Sequence, residues 1–130
     1  MLELTMAAVS AAEAGATAGM TMASVGTEPG AVLRVGRDGG VCRLVTPDDW
    51  LFVSRVHLEF LCGPEGGWQV SWLRGSQADP SAAVRLTLGA YEQLLGYGEA
   101  VALPRGAAGE IVIQDRTEPR SVNVGFFHEV

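Results

Sequence analysis

Val56 to Leu73 reads VHLEFLCGPEGGWQVSWL, and its period decides the fold class. Successive side chains of an extended chain point to opposite sides. Val56, Leu58 and Phe60 therefore share one face, and His57 and Glu59 take the other. GPEGG (Gly63–Gly67) is a strong turn signal, and WQVSWL then returns with Trp68, Val70 and Trp72 on a single face. Two alternating runs joined by such a turn predict an antiparallel hairpin with an aromatic core face, in which Phe60, Trp68 and Trp72 are core residues.

The same signature extends to both ends of the chain. LELTMAAV (Leu2–Val9), GMTMASV (Gly19–Val25) and AVLRVG (Ala31–Gly36, after the Pro29-Gly30 turn) read as strands upstream. AVRLTLG (83–89), EAVALP (99–104), GEIVIQ (109–114) and SVNVGFF (121–127) do so downstream, with FFHEV completing the last one. SAAEAGATA (10–18) is alanine-rich and reads as a short helix weakened by its glycine. YEQLLGYG (Tyr91–Gly98) is either a single helical turn or a loop. Strands at roughly eight-to-twelve-residue spacing, with no long amphipathic helix, predict a β-sandwich or barrel. The first strand is expected to start near residue 2, and residues 1–130 to form a single domain.

Composition narrows the function. The chain has 130 residues, 48% hydrophobic and 18% charged, which suits a self-sufficient core and excludes intrinsic disorder. A net charge of −6 argues against nucleic acid as partner, because a phosphate backbone demands a basic surface. All nine basic side chains are arginine, a usage that fits a high-GC bacterial genome. The first thirty residues lack a basic leader with an apolar core, Glu3 and Glu13 interrupting any such run, and no stretch reaches the ~18 apolar residues of a membrane span. A cytoplasmic protein with no membrane insertion is expected, with Cys42 and Cys62 as reduced, buried thiols.

Catalysis finds little support. Ser54 and His57 suggest a dyad; a strand separation of three puts them on opposite faces and a helical turn would bring them together, but no orienting carboxylate or oxyanion pattern accompanies them. His57 and His128 are far apart, and neither cysteine has a partner at ligand spacing, so no metal site is expected. GRDGG (Gly36–Gly40) lacks the GxxxxGK[ST] spacing, and the chain has no lysine to reach a nucleotide phosphate, so no cofactor is expected. What remains is anion recognition by two arginines in loops, Arg37 beside Gly36 and Arg55 beside Ser54.

Gly36-Arg37, followed by Ser54-Arg55-Val56-His57, resembles the Gly-Arg pair and the Ser-x-x-His motif of the forkhead-associated (FHA) domain. Arg74-Gly75-Ser76 falls where that family has its Gly-Ser and Asn-Gly loop. LLGYGEAVALP (94–104) is similar to the family's Leu-x-x-Gly-Asp-x-Ile stretch, with Glu99 in the Asp place. The resemblance runs from Leu2 to about Phe127. It implies an all-β sandwich of about eleven strands that reads phosphothreonine peptides with loops at one end. By the same resemblance Arg37 holds the phosphate or the adjacent peptide backbone, Ser54 donates its hydroxyl, and Arg55 adds a second guanidinium. Gly36 permits the turn that aims Arg37, Gly75 supports the site, and His57 braces the loops without touching ligand.

The loop RGSQADPSA (74–82) departs from the family in having no asparagine. Gln77 offers both a donor and an acceptor, with Ser76 beside it and Arg74 as a third basic contact. An ionised Asp79 would repel a phosphate. Trp50 and Phe52 either pack beneath the binding loops or form a partner surface, and Asp48 and Asp49 read as solvated charges. The implied function is a non-enzymatic, phosphothreonine-dependent adaptor or regulator in Ser/Thr kinase signalling, whose partner is a kinase or its substrate. With a strand starting at Leu2, closure by a phosphorylated tail of the same chain is not expected. The alternative is an assembly protein that keeps the sandwich and binds an unphosphorylated partner.

Overall fold

The computed structural model describes residues 1–10 and 17–130. Within them the chain forms eleven strands: β1 (Leu2–Ser10), β2 (Thr17–Val25), β3 (Val32–Gly36), β4 (Leu44–Val45), β5 (Leu58–Cys62), β6 (Trp68–Trp72), β7 (Ala82–Leu88), β8 (Tyr91–Leu95), β9 (Ala100–Ala102), β10 (Ala108–Asp115) and β11 (Arg120–His128). They build a six-stranded sheet in the order β2-β1-β11-β10-β7-β8 and a five-stranded sheet in the order β4-β3-β5-β6-β9. The all-β sandwich read from the pattern is the observed architecture, and no described segment is a helix.

The predicted hairpin is present, with Phe60 opposite Val70 and Leu58 opposite Trp72 across β5 and β6. Leu58, Phe60 and Cys62 alternate inward, as do Trp68, Val70 and Trp72. The facing sheet supplies Leu2, Leu4 and Met6 from β1, Ile111 and Ile113 from β10, and Val122, Val124 and Phe126 from β11. Phe60 and Phe126 meet across the interface with ring centroids 6.4 Å apart, so this pair ties the two layers together.

Three expectations change. YEQLLGYG is a strand as far as Leu95: β8 lies at the sheet edge, paired with β7 alone, and Leu94 is 76% exposed, which hides its alternation. VHLEFL pairs as a strand only from Leu58, because residues 54–57 bend, and His57 is buried instead of facing outward. Most of SAAEAGATA lies outside the described residues, while Thr17 and Ala18 belong to β2.

Antiparallel alternation sets the position of the loops. Along β3-β5-β6-β9 each neighbouring pair is antiparallel. The chain therefore leaves β3, enters β5, leaves β6 and enters β9 at the same end of the sheet. Segments 37–43, 46–57, 73–81 and 96–99 converge there.

Phe60→Ala removes the ring that joins the layers and leaves a cavity, at an expected cost of about 3–5 kcal/mol. Equilibrium urea unfolding measures it, and a loss below about 1 kcal/mol would show that the layers are held elsewhere.

Candidate functional site

Segment 46–57 carries Ser54 and Arg55, and its shape comes from its aromatics. Val53 N–H donates to the Trp50 carbonyl at 3.0 Å, closing a turn that brings the Trp50 and Phe52 rings to 5.6 Å. Phe52 is buried and Trp50 half-buried, so both pack beneath the loop. The Arg120 guanidinium lies over both rings, at 5.4 and 5.3 Å, and donates from Nε to Asp115 Oδ2 at 2.8 Å. Burial pushes the Asp115 carboxyl up, but hydrogen bonds from Thr117 and Arg120 outweigh that and hold it below its ordinary value. One end of the six-stranded sheet thus grips a loop of the five-stranded one. Asp48 and Asp49 are exposed.

Beyond β3 the chain runs alongside this loop. Arg37 N–H donates to the Ser54 carbonyl at 3.2 Å, and Asp38 N–H to that of Arg55 at 3.0 Å. Arg37 Nε donates to the Val53 carbonyl at 2.6 Å, which fixes the guanidinium and leaves its two terminal nitrogens without a hydrogen-bond partner among the described residues. The approach explains Gly36 differently from the turn-forming role expected of it. Its φ is not positive, but a Cβ there would overlap the carbonyl oxygens of Arg55 and Ser54. Cys42 and Cys62 are free and buried. Cys42 Sγ lies 3.4 Å from the Arg55 carbonyl oxygen, and burial foremost raises the pKa of its thiol.

His57 holds the loop from below. The Ser54 backbone N–H donates to its Nδ1 at 2.9 Å, and the imidazole stacks on Trp72 at 5.3 Å. Nδ1 must be unprotonated to accept that bond, so the proton of the neutral ring sits on Nε2. Burial favours the same form and lowers the pKa from 6.5 to about 4. Among the hydrogen bonds of the described residues His57 Nδ1 is joined to the Ser54 backbone and not to its hydroxyl.

Segment 73–81 forms the opposite wall. The Tyr97 hydroxyl accepts from Gly75 N–H at 2.8 Å and donates to the Gln77 carbonyl at 2.8 Å. Its ring meets Trp72 edge-on at 5.2 Å. Between the walls lies a cleft of about 410 Å³ lined by Arg37, Leu51, Ser54, Arg55, Ser76, Gln77 and Tyr97. The structure thus brings Arg37, Ser54, Arg55, Ser76 and Gln77 together, with Gly36, His57 and Gly75 outside the lining. Arg74 does not line the cleft. Its guanidinium lies 4.6 Å over the Tyr97 ring and donates to the Tyr97 carbonyl at 3.4 Å.

Leu51 and Tyr97 were not among the residues expected at the site. Each carries a signal: Leu51 stands between two aromatics that turn inward and is itself 65% exposed, and Tyr97 is an aromatic between two glycines. The electrostatics are one-sided. Among the described residues the ion pairs engage Arg34, Arg85 and Arg120, and none engages Arg37, Arg55 or Arg74.

No family model and no curated protein matches this sequence; the likeness lies in the fold. An engineered FHA domain with a Myc-pTBD peptide superposes with a TM-score of 0.63 at 13% identity, over 99% of this chain and 92% of that one. The N-terminal FHA domain of Rad53p from S. cerevisiae, in complex with a phosphothreonine peptide, gives 0.59 at 14% identity, over 96% and 94%. The FHA domain of CT664 from Chlamydia trachomatis gives 0.50 at 13% identity, over 98% and 99%. The fold of this chain is that of the FHA domain.

Two outcomes follow from the geometry. Because the His57 pKa is lower folded than unfolded, its neutral form stabilises the protein fully above pH 6.5, and that stability is lost as pH falls towards 4. With a shift from 6.5 to about 4 and 1.36 kcal/mol per unit, the loss is about 3 kcal/mol by pH 4. Urea unfolding across this range should show a steeper decline for wild type than for His57→Gln, and equal slopes would contradict the neutral buried ring. Gly36→Ala must push the Ser54 and Arg55 carbonyls away, at an expected cost of about 1–3 kcal/mol, which the same unfolding assay reads; a neutral effect would contradict the close approach.

Proposed function

We propose that the cleft binds phosphothreonine in a peptide segment of another protein and that residues 1–130 act as one non-enzymatic binding unit. The observation that carries this reading is the convergence of Arg37, Ser54 and Arg55 on one open cleft with no carboxylate paired to either guanidinium among the described residues. In a chain of net charge −6 such a pair is not a by-product of general basicity.

A dianionic phosphate offers several strong acceptors, and a planar guanidinium meets two of them at once. Arg37 is held by its Nε on Val53, so its remaining nitrogens meet the ligand with little further ordering cost. Arg55 is exposed and closes on the phosphate from the other side, while the Ser54 hydroxyl donates between them. Each charge-assisted bond contributes about 1.5–3 kcal/mol, so the set favours the phosphorylated peptide by about a hundredfold or more. The FHA fold and the phosphothreonine peptide in the Rad53p complex support the same reading. Because a Ser/Thr kinase must supply the ligand, the role that follows is an adaptor or regulator downstream of such a kinase.

The test is binding to a degenerate phosphothreonine peptide library and to its unphosphorylated twin, with Arg55→Ala as control. Arg55 suits this purpose because its side chain supports no described loop contact, whereas Arg37 also braces Val53. Phosphate-dependent binding, weakened by salt and reduced at least tenfold in the control, is expected from loss of one charge-assisted contact. Equal binding of both libraries would overturn the proposal and favour an assembly protein with an unphosphorylated partner.

A further inference from the structure

Tyr97 lies 20 residues from Gln77 in the chain, yet its hydroxyl spans the turn that carries Ser76 and Gln77, taking the Gly75 N–H on one side and offering its proton to the Gln77 carbonyl on the other, both at 2.8 Å. Arg74 through Asp79 are all exposed, and no backbone hydrogen bond within 74–79 braces them. The Tyr97 ring is itself pinned, in edge contact with buried Trp72 and covered by the Arg74 guanidinium. Trp72 also carries the stacked His57 whose Nδ1 holds Ser54. Both walls of the cleft are therefore fastened to one buried indole: the phosphate-facing wall through His57, and the Ser76–Gln77 wall through Tyr97.

We infer that Tyr97 is a positioning residue for ligand binding: its hydroxyl holds Ser76 and Gln77 at the height where they meet a peptide anchored on Arg37, Ser54 and Arg55. The inference rests on the proposed function for its ligand, and on the two hydroxyl bonds alone for its mechanics. It accounts for how a loop without asparagine keeps a defined wall. A loop freed from this bond samples other positions, and the ordering cost then falls on the binding step. Tyr97 also lines the cleft, so direct contact with ligand is the rival explanation, and the two differ in how Tyr97 couples to the loop side chains.

The decisive variant is Tyr97→Phe, which keeps the ring on Trp72 and beneath Arg74 and deletes only the hydroxyl. It is examined by backbone amide exchange without ligand and by affinity for phosphothreonine peptides selected by the wild-type protein. Expected are a Gly75 amide that exchanges at least tenfold faster, an unchanged unfolding midpoint and an affinity lower by about tenfold, the scale of one hydrogen bond of about 1.4 kcal/mol. Discrimination against unphosphorylated peptide persists, because Arg37, Ser54 and Arg55 are intact. In a Ser76→Ala/Gln77→Ala background the same substitution should cost no further affinity, since the side chains it positions are gone. Unchanged Gly75 exchange, or an undiminished tenfold loss in that background, would overturn the inference. A wild-type protein that binds no phosphothreonine peptide would overturn the proposed function and the affinity claim with it, while the exchange measurement still decides whether Tyr97 holds the loop.

Discussion

The stack of His57, Trp72 and Tyr97 is the contact on which the candidate site depends. Trp72 is placed by strand parity: it is the third inward side chain of β6, after Trp68 and Val70, and it is 4% exposed. From that fixed position it stacks on His57 and meets Tyr97 in an edge contact. Those two residues fasten the segments that carry Ser54 and Gln77. Among the described residues His57 Nε2 and Trp72 Nε1 are buried and take no protein hydrogen-bond partner, so the stack is held by ring packing and by the bond at His57 Nδ1.

Charge is distributed to match. Arg34, Arg85 and Arg120 are engaged by carboxylates, and Arg120 works as a structural clamp between the two sheets. Arg37 and Arg55 face one cleft without such partners among the described residues, so their fields are not cancelled locally. In an acidic chain two such unpaired guanidiniums on one cleft favour an anion over a cation there. The same logic makes the site sensitive to ionic strength, because the cleft is open to solvent.

The fold was legible wherever one face of a strand is buried. LEFLC and WQVSW alternate cleanly because each lies inside a sheet with its aromatic face on the core. YEQLL concealed its nature because β8 has one neighbour and exposes Tyr91, Glu92 and Leu94, so that burial marks little of the strand other than Leu95. Two-residue β4 is too short for any period. His57 went to the wrong face because parity holds only for extended backbone, and the bend at 54–57 breaks it. In the site, the Gly-Arg and Ser-x-x-His spacings were enough to bring Arg37, Ser54 and Arg55 to attention. The reason for Gly36, by contrast, is the approach of a carbonyl some eighteen residues away in sequence. The Tyr97 bridge likewise joins segments that only the tertiary structure brings together, and Arg74 was drawn from the cleft by an aromatic ring that local sequence does not place beside it.

The central claim is that a phosphothreonine is held at this end of the sandwich by these loops. Backbone amide shifts followed by NMR during titration with a phosphothreonine peptide test it most directly. The account requires perturbations centred on Arg37, Ser54, Arg55, Ser76 and Gln77, absent with the unphosphorylated peptide, and silence at Thr27, Arg105 and His128, which line a separate pocket. Perturbations centred on another face, or an identical pattern without the phosphate, would contradict it.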